Sequence, residues 1–434
     1  MSPIQTQRSA GDYRRTVREL SDRIVEAQRP IRILDAIKWE AGIQEAFFRA
    51  QFREQPPVDR EYYAGRPLGF DPASKKQELH EIERDVSRSL GQFNPVGLIM
   101  RRMCREYQMV VRMLEARGTP EFPDLSQVLY GSAAEAFHAG EPSLAEFGDL
   151  MSEALGNIDR SLLIQSEERT IPGEKAVELL QRRMDELFPE SEGAVRVLLS
   201  DGIVADAAAG ANYLKIRREA WFNERNLRLL EIHEGWVHLG TTLNGLEQPV
   251  CTFLGKGPPS TTLTQEGLAI LMEIVAFASH PSRLRRLTNR IRAVHMAEEG
   301  ATFRDIFVFF REQGLNEVES YNNAARVFRG STPTGGPFTK DICYSKGFIL
   351  VYNYILLAVR KGMLGRIPLL FCGKSTLEDM RTLAQLVDEG LVVPPRYLPP
   401  QIADLSALTA WMCYSNFINR LDLDRIEADY ANLL

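Results

Sequence analysis

The first part of the chain carries apolar residues at every third or fourth position, as at Leu20 and Ile24. Such spacing is typical of amphipathic helices, so we expect mostly helical structure from residue 12 to about residue 185. Stretches rich in Pro and Gly interrupt the pattern at residues 55–72 and 118–123, and they predict breaks between helices. We interpret this region as a helical scaffold.

A different pattern begins near Pro189, where apolar and polar residues alternate at residues 195–199 and again at residues 213–217. Alternation with a period of two is typical of half-buried strands. The pair Asp201-Gly202, which lies between these stretches, is a turn signal. We therefore predict a small sheet directly ahead of a helix that begins near Glu224.

Helical spacing returns at Leu263 and continues to the end of the sequence, with a Gly-rich break at residues 330–337. A chain of 434 residues exceeds what one hydrophobic core usually organises. We predict the α+β class, with a mostly helical amino-terminal region at residues 1–188 and a second domain at residues 189–434.

Composition narrows the possible functions. The formal net charge of -6 argues against a whole-molecule nucleic-acid binder, which would carry an excess of Lys and Arg. The 5 cysteines are scattered and form no CxxC pair. We therefore expect neither a disulfide framework nor a cysteine zinc knuckle, and we predict a reducing, cytoplasmic location.

Two further features predict that the protein is neither exported nor inserted in a membrane. The amino terminus becomes charged within a few residues and lacks the apolar core of a signal peptide. The longest apolar run, Phe348 to Val359, is interrupted by Asn353, and it is shorter than the ~20 residues with which a helix crosses a bilayer. We interpret this run as a buried helix and expect no membrane partner.

The most informative segment is His233-Glu234-Gly235-Trp236-Val237-His238, which reads HExxxH. In the zinc motif HExxH, two histidines four positions apart share one face of an α-helix. Five positions of a regular α-helix amount to roughly 500°, so the two histidines here would point about 140° apart. One extra residue in a turn, a π-bulge, would bring them onto the same face. A shared metal therefore requires a distorted helix, which a glycine makes easier.

A carboxylate further along the chain provides a possible third ligand. Glu266 lies in the segment QEGLA, near the start of a markedly apolar predicted helix. It can be a partner of the helix dipole. It can equally complete a His₂Glu metal site, which leaves a fourth position open for water.

The combination of HExxxH with QEGLA some thirty residues later resembles the family of QEGLA-motif metallopeptidases. That family includes the microtubule-associated tyrosine carboxypeptidases and bacterial proteins described as flavohemoglobin expression-modulating. The resemblance extends through RVFRG at residues 326–330, GGPFTKD at residues 335–341 and Tyr344, and it covers roughly residues 195–359.

The resemblance implies a zincin-type (gluzincin-like) catalytic domain, in which the small sheet packs on the active-site helix. It implies one zinc ion held by His233, His238 and Glu266, with Glu234 as the catalytic general base. The substrate would be a peptide or protein, cleaved at its C-terminal peptide bond. Between Glu234 and His238 the chain has Gly, Trp and Val, whereas the tubulin-directed members typically have small residues or a Thr. The tubulin specificity is therefore not carried over.

Removal of a C-terminal residue requires a fixed cation for the terminal carboxylate. Arginine suits this role because its planar fork binds a carboxylate at two points. Candidate cations lie beside the Gly-rich break and on the second predicted strand: Arg326, Arg329, Lys340, Lys215 and Arg217. Each of them can instead be surface charge or part of a salt bridge. Tyr344 is a candidate donor to the developing oxyanion, or a packing aromatic.

Arg283, Arg286 and Arg290 form a basic stripe on a predicted helix. The stripe can steer an acidic peptide tail toward the site, but a solvated helix face is the commoner explanation. His295, further along the same helix, can act as another oxyanion donor, although a lone helical histidine is more often structural.

Two other functions fit the same residues. A regulatory protein can use a folded metal site without turnover, although the Glu beside the first histidine argues against this, because a structural metal site needs no base. A metal hydrolase can also act on a modified peptide or another small amide in a biosynthetic pathway. Zinc analysis and a peptide library with free or amidated C-termini would separate these possibilities.

Overall fold

The computed structural model describes residues 10–137, 139–158, 168–189, 195–201, 203, 205–422, 425, 426 and 430. Most of these residues are helical, and the strands form two small sheets. The predicted α+β class is confirmed.

Helices dominate the amino-terminal region, as the spacing predicts. They are α1 (Ala10–Gln28), α2 (Ile33–Ile37), α3 (Ala41–Arg49), α4 (Arg60–Ala64), α5 (Pro72–Leu90), α6 (Pro95–Glu115), α7 (Glu121–Tyr130) and α8 (Leu144–Gly156). Asp71 and Asn94 cap α5 and α6 with side-chain hydrogen bonds, each followed by a proline at the first helical position. The second predicted break is the turn between α6 and α7. Gly118 adopts a positive φ of 73° there, and a Cβ would lie 2.8 Å from the Cα of Arg60.

The predicted sheet is present, directly ahead of the HExxxH segment. Strand β2 (Arg196–Ser200) pairs in parallel with β4 (Tyr213–Arg217), and β3 (Ala207–Ala209) pairs antiparallel on the other side of β4. Strands β1 (Ile171–Pro172) and β5 (Trp221–Phe222) form a separate antiparallel pair. Gly202 of the predicted turn lies outside the described residues.

Helix α9 (Gly173–Leu187) packs against the three-stranded sheet. Leu180 and Met184 of this helix share a hydrophobic cluster with Val197, Leu214 and Ile216, the inward residues of β2 and β4. The alternation in the sequence therefore reflects one buried face. Strand β3 contacts the HExxxH segment, so the sheet lies beside the candidate site.

Helix predominates again after the sheet, and the predicted start at Glu224 is confirmed. The elements are α10 (Glu224–Leu230), a π-helix (Glu231–Leu239), α11 (Gly240–Leu246), α12 (Ser260–Val275), α13 (Pro281–Glu298), α14 (Phe303–Glu312), α15 (Glu317–Phe328), α16 (Cys343–Arg360), α17 (Met380–Asp388), α18 (Pro400–Ala403) and α19 (Ser406–Ile418). The Gly-rich break at residues 330–337 separates α15 from α16, as predicted.

Helices α12 and α16 approach each other unusually closely. A Cβ at Gly267 would lie 2.0 Å from the carbonyl carbon of Gly347, and one at Gly347 would lie 2.0 Å from the carbonyl oxygen of Leu263. Any larger residue would force the helices apart. This contact lies directly beside Glu266, which is 8% exposed.

The segment Thr339–Arg360, which contains α16, is long and apolar enough to cross a membrane by length and composition alone. The core helix of a soluble protein passes the same test. Val351 and Ile355 are buried in the largest hydrophobic cluster, whereas Leu357 is 48% exposed. The run interpreted as a buried helix is therefore buried along one face.

The largest hydrophobic cluster joins both halves of the chain. It contains Ile24 and Val86 from α1 and α5 together with Leu268 from α12 and Val351 from α16. The amino-terminal helices thus support the helix that carries Glu266. The division into residues 1–188 and 189–434 stays a prediction.

Candidate metal centre

The HExxxH segment forms the π-helix Glu231–Leu239, which confirms the distortion that its spacing requires. A π-helix brings residues five positions apart onto one face, and His233 and His238 do face each other. Gly235 lies where this helix meets α9, because a Cβ there would lie 2.9 Å from the Met184 methyl group. The ring of Trp236 packs 6.0 Å from that of Phe188.

Three side-chain atoms form a nearly equilateral triangle. His233 Nε2 lies 3.2 Å from His238 Nε2, and each of these nitrogens lies 3.4 Å from Glu266 Oε2. His233 and Glu266 are buried and His238 is partly exposed, so the group is reachable from one side. These three residues could hold a metal ion.

Behind the first histidine lies a buried ion pair. His233 Nδ1 is 2.7 Å from Oε1 of Glu273, whose exposure is 0%. Arg283 donates to both oxygens of Glu273, at 3.0 and 3.1 Å. Burial would raise the pKa of Glu273, but the charge of Arg283 and the hydrogen bond from His233 outweigh it and lower the pKa to about 2. Because an ionised carboxylate only accepts hydrogen bonds, Nδ1 carries a proton, and Nε2 is the ring nitrogen that faces the triangle.

Glu266 is likewise held as a carboxylate. Burial would raise its pKa, yet the charge of Lys340 and the two nearby histidines lower it well below the ordinary value. Lys340 Nζ lies 3.1 Å from Oε1, so the other oxygen, Oε2, is left for the triangle. Oε2 is buried and has no hydrogen-bond partner among the described residues.

A lysine distant in the sequence joins the two ligand-bearing elements. Lys374 Nζ donates to the carbonyl oxygen of His238 at 2.9 Å, to Thr241 Oγ1 at 2.9 Å and to Gln265 Oε1 at 2.7 Å. These bonds use all three of its protons. Burial lowers the pKa of Lys374 to about 7, and the charges of Glu266 and Glu234 offset only part of that effect.

Glu234 lies between the π-helix and the sheet. Its Oε2 accepts a hydrogen bond of 3.0 Å from the backbone N–H of Ala209, in the edge strand β3. The ring of Tyr344 stacks on that of His233 at 6.3 Å between centroids. The structure thus brings the predicted catalytic residues to the metal group.

The predicted cations lie in different surroundings. Lys340 contacts Glu266, Arg326 forms a two-point ion pair with Asp341, and Arg217 pairs with Asp206. Lys215 lies over the ring of its neighbour Tyr213. Arg329 lies over Phe338, and burial, reinforced by nearby Arg326, lowers its pKa to about 10. Arg217, Arg326 and Arg329 line one cavity, and Lys215 is not among its lining residues.

The interpretation of the basic stripe as a solvated helix face is wrong. Arg283 is 12% exposed and pairs with Glu273, while Arg290 is 16% exposed and lies over the ring of Tyr344. Arg283 and Arg290 can face inward because carboxylates from other elements, Glu273 and Asp341, neutralise them. His295 is not part of the metal group.

Sequence reasoning missed Glu273 and Lys374. Glu273 was detectable, because it follows Glu266 by seven positions and so shares its helix face. Lys374 gave no signal, because its contacts are all more than 100 residues away along the chain.

The fold and the site define an α+β protein with a candidate metal centre of two histidines and one glutamate, backed by a buried ion pair. The chain belongs to the microtubule-associated tyrosine carboxypeptidase family, whose model matches residues 45–420. Membership supports a carboxypeptidase-type function with a peptide or protein substrate. A search of curated proteins found no match.

Proposed function

We propose that the protein is a zinc-dependent metallopeptidase, specifically a carboxypeptidase that hydrolyses the C-terminal peptide bond of a peptide or protein. The observation that carries this proposal is the triangle of His233 Nε2, His238 Nε2 and Glu266 Oε2, with sides of 3.2, 3.4 and 3.4 Å. Family membership supplies the carboxypeptidase part of the proposal.

The triangle has the size that zinc requires. Tetrahedral ligands about 2.0–2.1 Å from a zinc ion lie ~3.3–3.4 Å apart, which matches the observed sides. Two histidines and one glutamate are also the ligand set of a class of catalytic zinc sites, in which the fourth position stays open. Glu266 Oε2 is buried and has no hydrogen-bond partner among the described residues, which suits a metal-ligand atom.

A zinc ion at this site would supply Lewis acidity for water and for the peptide carbonyl. Glu234 acts as the general base: it takes a proton from the attacking water and passes it to the leaving amine. Its hydrogen bond from Ala209 holds the carboxylate beside the edge strand. Tyr344, stacked on His233, donates its hydroxyl proton toward the developing oxyanion.

The fold proposed for this part of the chain is zincin-type (gluzincin-like). Support comes from the order of elements: a small sheet, then the helix with both histidines, then the helix with Glu266. The sheet contacts the histidine helix through β3, as that type of domain requires. The cytoplasmic location, and the expectation of no nucleic-acid or membrane partner, stay predictions.

The ligand assignment is tested by metal analysis of the purified protein. Wild type should contain about one zinc per chain, and the variants His233→Ala and Glu266→Ala should lose it. Glu234→Gln is the matched control, because it changes the neighbouring base and leaves all three ligands in place. Unchanged zinc in the ligand variants would refute the assignment.

The reaction is tested with a peptide library whose C-termini are free or amidated. Zinc-loaded wild type should release the last residue from free-acid peptides only, and Glu234→Gln should abolish release while keeping its zinc. Equal cleavage of both sets would exclude exopeptidase action anchored on a carboxylate. Absence of cleavage by a zinc-loaded protein would favour a binding or regulatory role.

A further inference from the structure

A cavity of about 330 Å³ lies between three separate parts of the chain. Its walls come from the start of α3 with the segment before it, from the carboxyl ends of β2 and β4, and from α15 with the residue that follows it. The residues that matter are Lys38, Trp39, Arg217, Tyr321, Arg326 and Arg329. None of the three metal-ligand candidates lines it.

Three donor groups on the wall of this cavity lack partners. Arg217 Nε, Tyr321 Oη and Arg329 Nε are buried and make no hydrogen bond within the described part of the chain. Arg329 is 9% exposed and Tyr321 is 4% exposed. Buried donors are normally satisfied, so three of them around one cavity indicate a ligand with several acceptor oxygens.

The charges in this region are unevenly paired. Carboxylates also line the cavity, and two of them are held by other arginines: Glu40 pairs with Arg66 and Asp201 pairs with Arg218. Asp341 binds Arg326 at two points and lies 4.0 Å from Arg290 Nε. Among the described residues, no carboxylate lies within ion-pair distance of Arg329. Asp341 favours the charge of Arg329 from a distance, but it pairs with Arg326. A buried guanidinium with no ion pair of its own is costly, and an anion in the cavity would offset that cost.

We propose that this cavity binds a carboxylate of the peptide substrate, with Arg329 as its principal ligand and Tyr321 and Arg217 as further donors. The inference rests on the proposed function. Arg326 connects the cavity with the metal group, because its partner Asp341 directly follows Lys340, which contacts Glu266. The carboxylate is either the peptide's own C-terminus or an acidic side chain close to it.

The test uses four N-terminally labelled peptides, with a free or amidated C-terminus and with Glu or Gln at the penultimate position. Binding is measured by fluorescence anisotropy to zinc-loaded Glu234→Gln protein, which holds peptides without turnover. Arg329→Gln is introduced in this background, and Arg360→Gln, at an exposed position at the end of α16, is the control. Tyr321→Phe, which removes one hydroxyl, covers the case in which Arg329→Gln does not fold.

We expect Arg329→Gln to weaken the preferred peptides about 10- to 100-fold, the loss typical of a hydrogen bond to a charged group. Tyr321→Phe should weaken them several-fold and Arg360→Gln should have no effect. A preference for the free acid identifies the C-terminus as the ligand, and a preference for Glu identifies the side chain. Equal binding of all four peptides, or a preference that survives Arg329→Gln and Tyr321→Phe, would overturn the proposal.

Failure of the proposed function would be recognisable. If carboxylate binding depends on Arg329 but zinc-loaded wild type cleaves none of the four peptides, the cavity is supported and the carboxypeptidase is refuted. If wild type cleaves free-acid peptides with a KM that Arg329→Gln leaves unchanged, the carboxypeptidase stands and the cavity is refuted.

Discussion

Replacing Glu273 with Gln should lower both metal affinity and folding stability, by two effects that can be separated. Glu273 is 0% exposed and serves two partners, His233 Nδ1 at 2.7 Å and Arg283 at 3.0 and 3.1 Å. The amide of Gln has the same shape but no charge. It therefore weakens the acceptor for His233 and leaves Arg283 without a counter-ion.

The expected losses of folding stability and of metal affinity follow from the burial of Glu273 and its partners. Removing one partner of a buried ion pair costs about 3–5 kcal/mol, and Arg283 is only 12% exposed, so we expect a loss in that range for the metal-free protein. Altering the hydrogen-bond partner of a metal-ligating histidine typically costs about 10- to 100-fold in affinity. That loss corresponds to ~1.4–2.7 kcal/mol of metal binding.

A double variant separates the effects. In Glu273→Gln with Arg283→Met, the unpaired cation is replaced by an apolar chain. Replacing a buried ion pair with apolar groups is often neutral or stabilising, so most of the stability should return. The metal affinity should stay low, because His233 still lacks a carboxylate. Glu178→Gln, which breaks the exposed pair with Lys175, is the control and should cost under ~1 kcal/mol.

Stability is measured as the urea midpoint of the metal-free proteins, because bound metal itself raises apparent stability. Metal affinity is measured by competition with a chromophoric chelator. An affinity for zinc within twofold of wild type in Glu273→Gln would show that this carboxylate does not tune His233. A double variant as unstable as the single one would show that the unpaired arginine is not the source of the destabilisation.

Two further predictions concern the supports of the site. Gly267→Ala places a methyl group 2.0 Å from the backbone of Gly347. It should therefore lower the free energy of unfolding by at least the ~1–3 kcal/mol of ordinary overpacking, which is measured as a lower thermal midpoint. Gly42→Ala, whose Cβ meets nothing within 4 Å, should leave the midpoint unchanged, and equal midpoints of the two variants would contradict the helix contact. Lys374→Met removes three hydrogen bonds, one each to the π-helix, α11 and α12, so zinc affinity should fall about tenfold. Lys361→Met, at an exposed position, should leave the chelator titration unchanged.

Much of the metal group was predictable because its information is local. The five-residue spacing of His233 and His238 excludes a shared face on a regular α-helix, and the structure contains the π-helix that the spacing demands. The alternation of apolar residues likewise predicts β2 and β4, because each strand buries one face against α9. Local periodicity is enough where a single face is buried.

Contacts between distant segments could not be predicted in this way. Arg283 and Arg290 have the spacing of a solvated helix face, and only the fold reveals that Glu273 and Asp341 neutralise them from other elements. The cavity around Arg329 could not be predicted either, because its walls come from three separate parts of the chain. A pattern of charges along one helix does not determine which way that helix faces.

The π-helix depends both on the local spacing of its histidines and on hydrogen bonds from residues distant in the sequence. Its spacing brings the histidines together, but a π-helix is rarely longer than one turn, and this one spans 9 residues. The carbonyl of His238, at its end, accepts from Thr242 Oγ1 at 2.6 Å and from Lys374 Nζ at 2.9 Å. Lys374 also holds Gln265, which directly precedes Glu266. Gln265 thus links Glu266, through Lys374, to the π-helix that carries both histidines. The distortion of that helix and the ligand triangle therefore depend on the same hydrogen bonds.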